Sequence, residues 1–159
     1  MEDKGQGLVF VVDDEEMVAL AIQSFLQLDT DYGVRTFTSP AAALEVVELE
    51  RPGVIIADFM MPGMDGITFL RHCRDVDPFG TRILLTGYAG KENAIRAINE
   101  AGLYYYLEKP WSNDHLKLVV RNGMERSALF NELDTRIAAL EDANQELEDL
   151  RRRLIAAFL

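Results

Sequence analysis

Gly53-Val-Ile-Ile-Ala-Asp58-Phe-Met-Met-Pro-Gly-Met-Asp65-Gly66 is a short apolar run that ends in a carboxylate and a turn. Val54 to Ala57 is too short and too β-branched for a helix, and it lacks polar alternation. That pattern predicts a strand buried on both faces, as in a parallel sheet. Asp58 stands at its carboxyl end. A carboxylate there is costly unless it faces a crevice with partners or a cation. Open α/β sheets have such a crevice outside the carboxyl ends of their strands. Pro62 and Gly63 break the chain, and Asp65 is placed to cap the next helix.

The same grammar repeats on either side. Leu8 to Val12 predicts a first buried strand, followed by Asp13-Asp14-Glu15-Glu16 and a helix to about Leu28 with Val18, Ala21, Ile22 and Phe25 inward. Gly33 to Phe37 predicts a second strand. Ser39-Pro40 starts a helix whose apolar side is Ala43, Leu44 and Val47. After Asp65 a helix runs to about Asp75, with Ile67, Phe69 and Leu70 available for packing. Arg82 to Leu85 predicts a fourth strand, ending at Thr86-Gly87. Residues 91–101 form a helix with Ala94, Ile95 and Ile98 on one side and Gly102 as its stop. Leu103 to Leu107 is the fifth strand. Glu108-Lys109-Pro110 follows, and Ser112 or Asn113 caps a last helix. Alternation of this kind implies an α/β layer fold with a parallel sheet and right-handed crossovers.

Four strand ends therefore carry Asp13-Asp14, Asp58, Thr86 and Lys109, all on one edge of the sheet. Carboxylates so gathered repel one another and titrate together. A hard divalent cation such as Mg²⁺ resolves the conflict, because it takes oxygen ligands and keeps several waters. A cation, an ammonium and a hydroxyl suit a phosphoryl group, whose transfer depends on positioning and charge neutralisation. Carboxylates serve as nucleophiles toward phosphorus. The residues thus point to a Mg²⁺-dependent phosphoaspartate site.

Taken together and in order, these motifs, with Leu85-Thr86-Gly87 and Lys109-Pro110-Trp111, resemble the receiver domain of two-component response regulators. The resemblance covers roughly residues 7–122. It implies a flavodoxin-like five-stranded parallel sheet, order 2-1-3-4-5, with helices on both faces. Asp58 becomes the phosphoacceptor, with a phosphohistidine on a sensor histidine kinase or phosphotransfer protein as donor. Asp14 becomes a direct Mg²⁺ ligand, Asp13 holds the metal mostly through water, and the main-chain carbonyl of Met60 is a further ligand. Lys109 would bind phosphoryl oxygens, Thr86 would move inward to them, and Tyr106 would follow by turning from exposed to buried. Met60 and Tyr88 lie at the two positions that flank the phosphoryl group. Neither carries a carboxylate or amide to orient a water, so slow self-dephosphorylation is expected. A phosphorylation-independent scaffold is the alternative reading, and a small-molecule phosphatase is a further one. The intact Asp14, Asp58, Thr86 and Lys109 set speaks against the first, and the lack of a substrate-recognition cap against the second.

The last helix continues past the point where a receiver ends. Leu133, Leu140, Leu147 and Leu154 fall at heptad position d, and Phe130, Ile137, Asn144, Arg151 and Phe158 at a. A parallel two-stranded coil is expected, with Arg136 at g opposite the partner copy's Glu141 at e. The expected organisation is a receiver over 1–122 and a dimerising coil over 123–159, with an output domain beyond Leu159. Gly123 weakens the helix by about 1 kcal/mol relative to alanine and is expected to act as a joint. The net charge of −11 argues against a nucleic-acid surface in this segment. Cys73 is the single cysteine, which excludes a disulfide framework. Met1 to Gly7 has no apolar signal region and no window approaches a membrane span, so a cytoplasmic location is expected.

Overall fold

The structure, a computed structural model, describes residues 7–87 and 91–159. Its elements run β1 (Leu8–Val12), α1 (Glu16–Asp29), β2 (Gly33–Phe37), α2 (Pro40–Glu50), β3 (Val54–Asp58), α3 (Gly66–Val76), β4 (Thr81–Thr86), α4 (Lys91–Ala101), β5 (Tyr105–Glu108) and α5 (Asn113–Phe158). The strands form one parallel sheet, as their patterning predicts, in the order β2-β1-β3-β4-β5 that the resemblance implies. The helix starts follow the local chemistry. Ser39 Oγ accepts from the Ala42 amide at 3.4 Å, and Asp65 Oδ1 accepts from the Thr68 amide at 2.7 Å. At the end of α4, Gly102 takes a φ of +59°, the left-handed stop. The fifth strand begins two residues later than predicted, at Tyr105, because Tyr104 contributes only its amide, to Arg82 O at 2.9 Å.

Alternate strand residues divide the core. Val9, Val11, Ile56 and Leu85 pack with Ala19, Ile22 and Leu26 of α1 and with Leu116, Val119, Val120 and Met124 of α5. Phe10, Val12, Ile55, Ala57 and Leu84 pack with α2, α3 and α4 on the other face. On α1, Val18, Ile22 and Phe25 pack inward as expected, together with Ala19 and Leu26, and only Ala21 departs, being exposed. On α4, the buried residues are Ala97 and Ala101, while Ile95 and Ile98 are 49% and 59% exposed. Cys73 is fully buried on α3, and burial pushes its thiol up to about 12.

Compact packing of the first unit extends to Ser127, and residues 128–159 form a second unit. Gly123 is not a loose joint. Its carbonyl accepts a 2.6 Å hydrogen bond from Thr81 Oγ1, and an added Cβ would lie 2.9 Å from Thr81 Cγ2 and 3.3 Å from Val54 Cγ2. Glycine is there to let α5 approach the amino-terminal edge of the sheet. Gly123→Ala should therefore destabilise by about 1–2 kcal/mol, overpacking outweighing the gain in helix propensity. A flexible joint would show the opposite sign in chemical denaturation. The second unit is helical throughout up to Phe158, and Leu133, Ile137, Leu140, Leu147 and Leu154 are all exposed along it. Among the described residues no helix is long and apolar enough to cross a membrane.

Candidate functional site

Four of the five strands, β1, β3, β4 and β5, bring polar groups to the carboxyl edge of the sheet. The Asp13 amide donates to Phe37 O at 3.0 Å, so the ladder runs one residue past β1 and buries Asp13 completely. Asp13 Oδ1 accepts from the Glu15 amide at 2.9 Å, which organises the start of α1. Asp14 is exposed. Asp58 is the last residue of β3, in register with Leu85, and is 5% exposed. Thr86 closes β4 and is buried. The Lys109 amide donates to Thr86 O at 2.7 Å, which aims its side chain back over the edge. Its ammonium lies 3.2 Å from Asp13 Oδ2 and 3.3 Å from Asp58 Oδ1. The Lys109–Pro110 peptide is cis.

One carboxylate oxygen from each of Asp13, Asp14 and Asp58 falls within 4.8 Å of the others. An open pocket of about 690 Å³ lies over them, lined by Asp14, Asp58, Met60, Asp65, Gly87 and Lys109 among others, but not by Asp13. Burial pushes the Asp58 carboxyl up to about 6; the nearby Asp13 charge adds to this and Lys109 opposes it. Burial also raises Asp13, against the Glu15 amide and Lys109. Burial alone would lower Lys109, yet Asp13 and Asp58 outweigh it and hold the ammonium above its ordinary value. One cation thus faces three carboxylates.

Of the site residues predicted from sequence, Asp13, Asp14, Asp58 and Lys109 meet here, with Thr86 at the end of the neighbouring strand. Tyr106 is half-buried and packs against the cluster shared with α3 and α4, while Tyr105 packs on the α5 face. Tyr88 lies outside the described residues. Met60 has a 72% exposed side chain at the pocket mouth. Two features escape sequence reading. Arg96 of α4 reaches across to Asp65 Oδ2 at 3.1 Å, pairing α4 with the pocket rim, and Asp65 titrates low because the Thr68 and Arg96 hydrogen bonds overcome its burial. Gly66 lies so close to β3 that an added Cβ would sit 2.1 Å from Asp58 O.

Residues 9–121 match the response regulator receiver domain family. The chain belongs to that family. The hydrogenase transcriptional regulatory protein HoxA of Cupriavidus necator is 38% identical to it over 133 residues, 84% of this chain and 27% of that protein. The C4-dicarboxylate transport transcriptional regulatory protein DctD of Rhizobium meliloti is 33% identical over 139 residues, 87% of this chain and 30% of that protein. The chain thus spans under a third of the length of these relatives. Among solved structures, the signal receiver domain of an HD domain-containing protein from Pseudomonas fluorescens Pf-5 superposes with a TM-score of 0.73 at 30% identity, covering 77% of this chain and 97% of that one.

The receiver's acidic pocket is of the kind that suits Mg²⁺ in this family. Three carboxylates against one ammonium leave net negative charge in a partly dehydrated crevice, which fits a hard cation with oxygen ligands. The strain this places on the cation-free receiver is measurable. Asp58 has its pKa raised on folding, so its contribution to stability is fully present below about pH 4 and is lost as pH rises through about 6. With divalent cations chelated, Asp58→Asn should be more stable than wild type by roughly 1–3 kcal/mol at neutral pH. The difference should vanish near pH 4 in urea titrations.

Proposed function

We propose that Asp58 of this receiver accepts a phosphoryl group from a phosphohistidine on a partner kinase or phosphotransfer protein. The observation that carries this reading is the Asp13, Asp14 and Asp58 cluster, with Lys109 3.2–3.3 Å away, beneath an open pocket. With a carboxyl near 6, Asp58 is mostly ionised at neutral pH and available as a nucleophile. Its oxygen attacks phosphorus, the phosphorus–nitrogen bond breaks, and the imidazole leaves with a proton from solvent. Asp13, Asp14, Asp58 and the Met60 main-chain carbonyl would hold Mg²⁺. Bound there, it would supply charge that neutralises the phosphoryl group. Lys109 exchanges its contact with Asp58 for the new phosphoryl oxygens, and the Thr86 hydroxyl at the end of β4 turns to them. Tyr106 then moves further into the space beside α4. Asp58→Asn should take up no phosphoryl group from acetyl phosphate and Mg²⁺ by intact mass, where the wild type gains one.

The receiver packs as far as Ser127, and residues from about 128 to 159 form a parallel coiled coil with a second copy that passes the phosphorylation state to a following domain. Exposed Leu133, Leu140, Leu147 and Leu154 at every d position support this reading. So does the opposite-charge pair that Arg136 makes with Glu141 of a parallel partner. A continuous α5 from Asn113 to Phe158 carries both the receiver's packing face and the heptads.

A further inference from the structure

The heptads of the tail contain a conflict. In its first half the apolar row is Phe130, Leu133, Ile137 and Leu140, all exposed. Continued without a break, the same seam next takes Asn144, Leu147, Arg151, Leu154 and Phe158. Arg151 would then face its own copy across the seam, where like charges repel. A second row lies on the other side of the same leucines: Ala143, Leu147, Leu150, Leu154 and Ala157. It has no polar member, and Leu147, Leu150 and Leu154 are 63%, 52% and 51% exposed.

Charge at the flanks divides in the same way. On the first seam Arg136 at g meets Glu141 at e of a parallel partner, an attraction in the first half of the coil. On the second seam Glu146 becomes g and Arg151 becomes e, five residues on, so the attraction appears in the second half instead. Phe158, and a flank of Leu150 against Ile155, favour the first seam throughout. Passing from Leu140 to Ala143 needs two successive steps of three residues, which overwinds the coil locally. Each seam therefore has a compensating fault. One buries Asn144 and Arg151, and the other strains the helix near Leu140.

We infer that residues 141–158 pair with a second copy through two alternative seams, and that phosphorylation of the receiver selects between them. This inference rests on the dimeric reading above. Leu140, Leu147 and Leu154 are shared, and the two seams differ by a rotation of roughly 50°, half the angle between successive residues at 3.5 per turn. The amino-terminal part of the same helix is held firmly, with Leu116, Val120 and Met124 in the core and Gly123 bonded to Thr81. A turn imposed on that part reaches the tail as a change of seam.

Single cysteines separate the possibilities in the intact chain, because Cys73 is buried. Leu147→Cys reports either seam, Asn144→Cys only the first and Leu150→Cys only the second. Disulfide formation under mild oxidation is measured with and without Mg²⁺ and acetyl phosphate, and intact mass on the same samples records phosphorylation. The expected result is strong cross-linking at 147 in both states, with both 144 and 150 cross-linking. The ratio of 144 to 150 should change by about fivefold or more on phosphorylation, the lower end of ordinary coupling. Cross-linking at 147 and at only one of the other two, whatever the state, would overturn the two-seam proposal and leave the dimer standing. Both products at a ratio that confirmed phosphorylation leaves unchanged would overturn the selection. No product at 147 would remove the dimer itself, and the proposal with it. Absence of a phosphoryl mass shift in the wild type would refute the phosphoacceptor reading, and with it the selection by phosphorylation.

Discussion

Asp58→Asn abolishes phosphoryl uptake from Mg²⁺ and a small phosphodonor, so that intact mass shows no adduct where the wild type gains one. The expected loss is complete, because the neighbouring carboxylates cannot take over. Asp13 is fully buried, holds the Glu15 amide and Lys109, and does not line the pocket. Asp14 lines the pocket but is exposed, and is followed at once by Glu15, the cap of α1. Among the described residues, only Asp58 combines access to the pocket with the Lys109 ammonium at 3.3 Å. Asparagine keeps the shape but is a poor nucleophile, and it leaves Lys109 paired with Asp13. Chelating the metal should stop uptake in the wild type as well, since the single Lys109 ammonium cannot offset three carboxylates when a phosphoryl group arrives. An adduct that survives in Asp58→Asn would sink the assignment.

Gly66→Ala carries the next largest effect, although Gly66 touches no ligand. Its added Cβ would lie 2.1 Å from Asp58 O, 2.9 Å from Asp58 C and 3.0 Å from Leu84 Cδ1. The first two are backbone atoms and cannot rotate away. The Gly66 amide is also tied to Phe59 O at 2.9 Å, so the loop has little room to open. The variant should lose roughly 3 kcal/mol, the top of the ordinary overpacking range. It should also take up phosphate at least about tenfold more slowly, since a shift of around 1 Å at a reacting group is costly. Gly63→Ala is the matched control. Gly63 has a φ of +82° but nothing within 4 Å of an added Cβ, so it should lose only about 1–2 kcal/mol of backbone strain. Equal effects at the two glycines in denaturant titrations would show that the close approach of Gly66 is unimportant.

Strand ends are legible in this sequence because each buried strand is a bare apolar run whose first polar residue must face the crevice. That logic locates Asp13, Asp58 and Thr86 on one edge before any coordinates, with Lys109 just past them, one residue beyond Glu108. Helix faces are less legible. Ile95 and Ile98 outrank Ala97 and Ala101 in hydrophobicity, but α4 buries the alanines and exposes the isoleucines. Long-range close approaches leave no local trace at all. Gly66 reads as a helix-start residue and Gly123 as a weak point, though each is required by an atom far away in sequence or on another element. Arg82 reads as the first residue of a strand. In fact its guanidinium is buried and donates to Ala101 O at 2.7 Å, Gly80 O at 2.8 Å, Pro78 O at 3.2 Å and Gly102 O at 3.3 Å. Four carbonyls from two separate loops and a helix end converge on one side chain, and only the folded chain brings them together.

The single thiol gives the folded chain a built-in clock. Cys73 is fully enclosed, with an acidity near 12, so at pH 8 roughly one molecule in ten thousand would carry a thiolate while the protein is closed. An alkylating reagent must wait for α3 to come away from the sheet, and its rate counts those openings. Because α3 begins at Gly66, directly behind Asp58, the same count reads how firmly the acidic edge is backed. A change at the pocket that loosens its support will quicken the labelling of Cys73, a residue the pocket never touches.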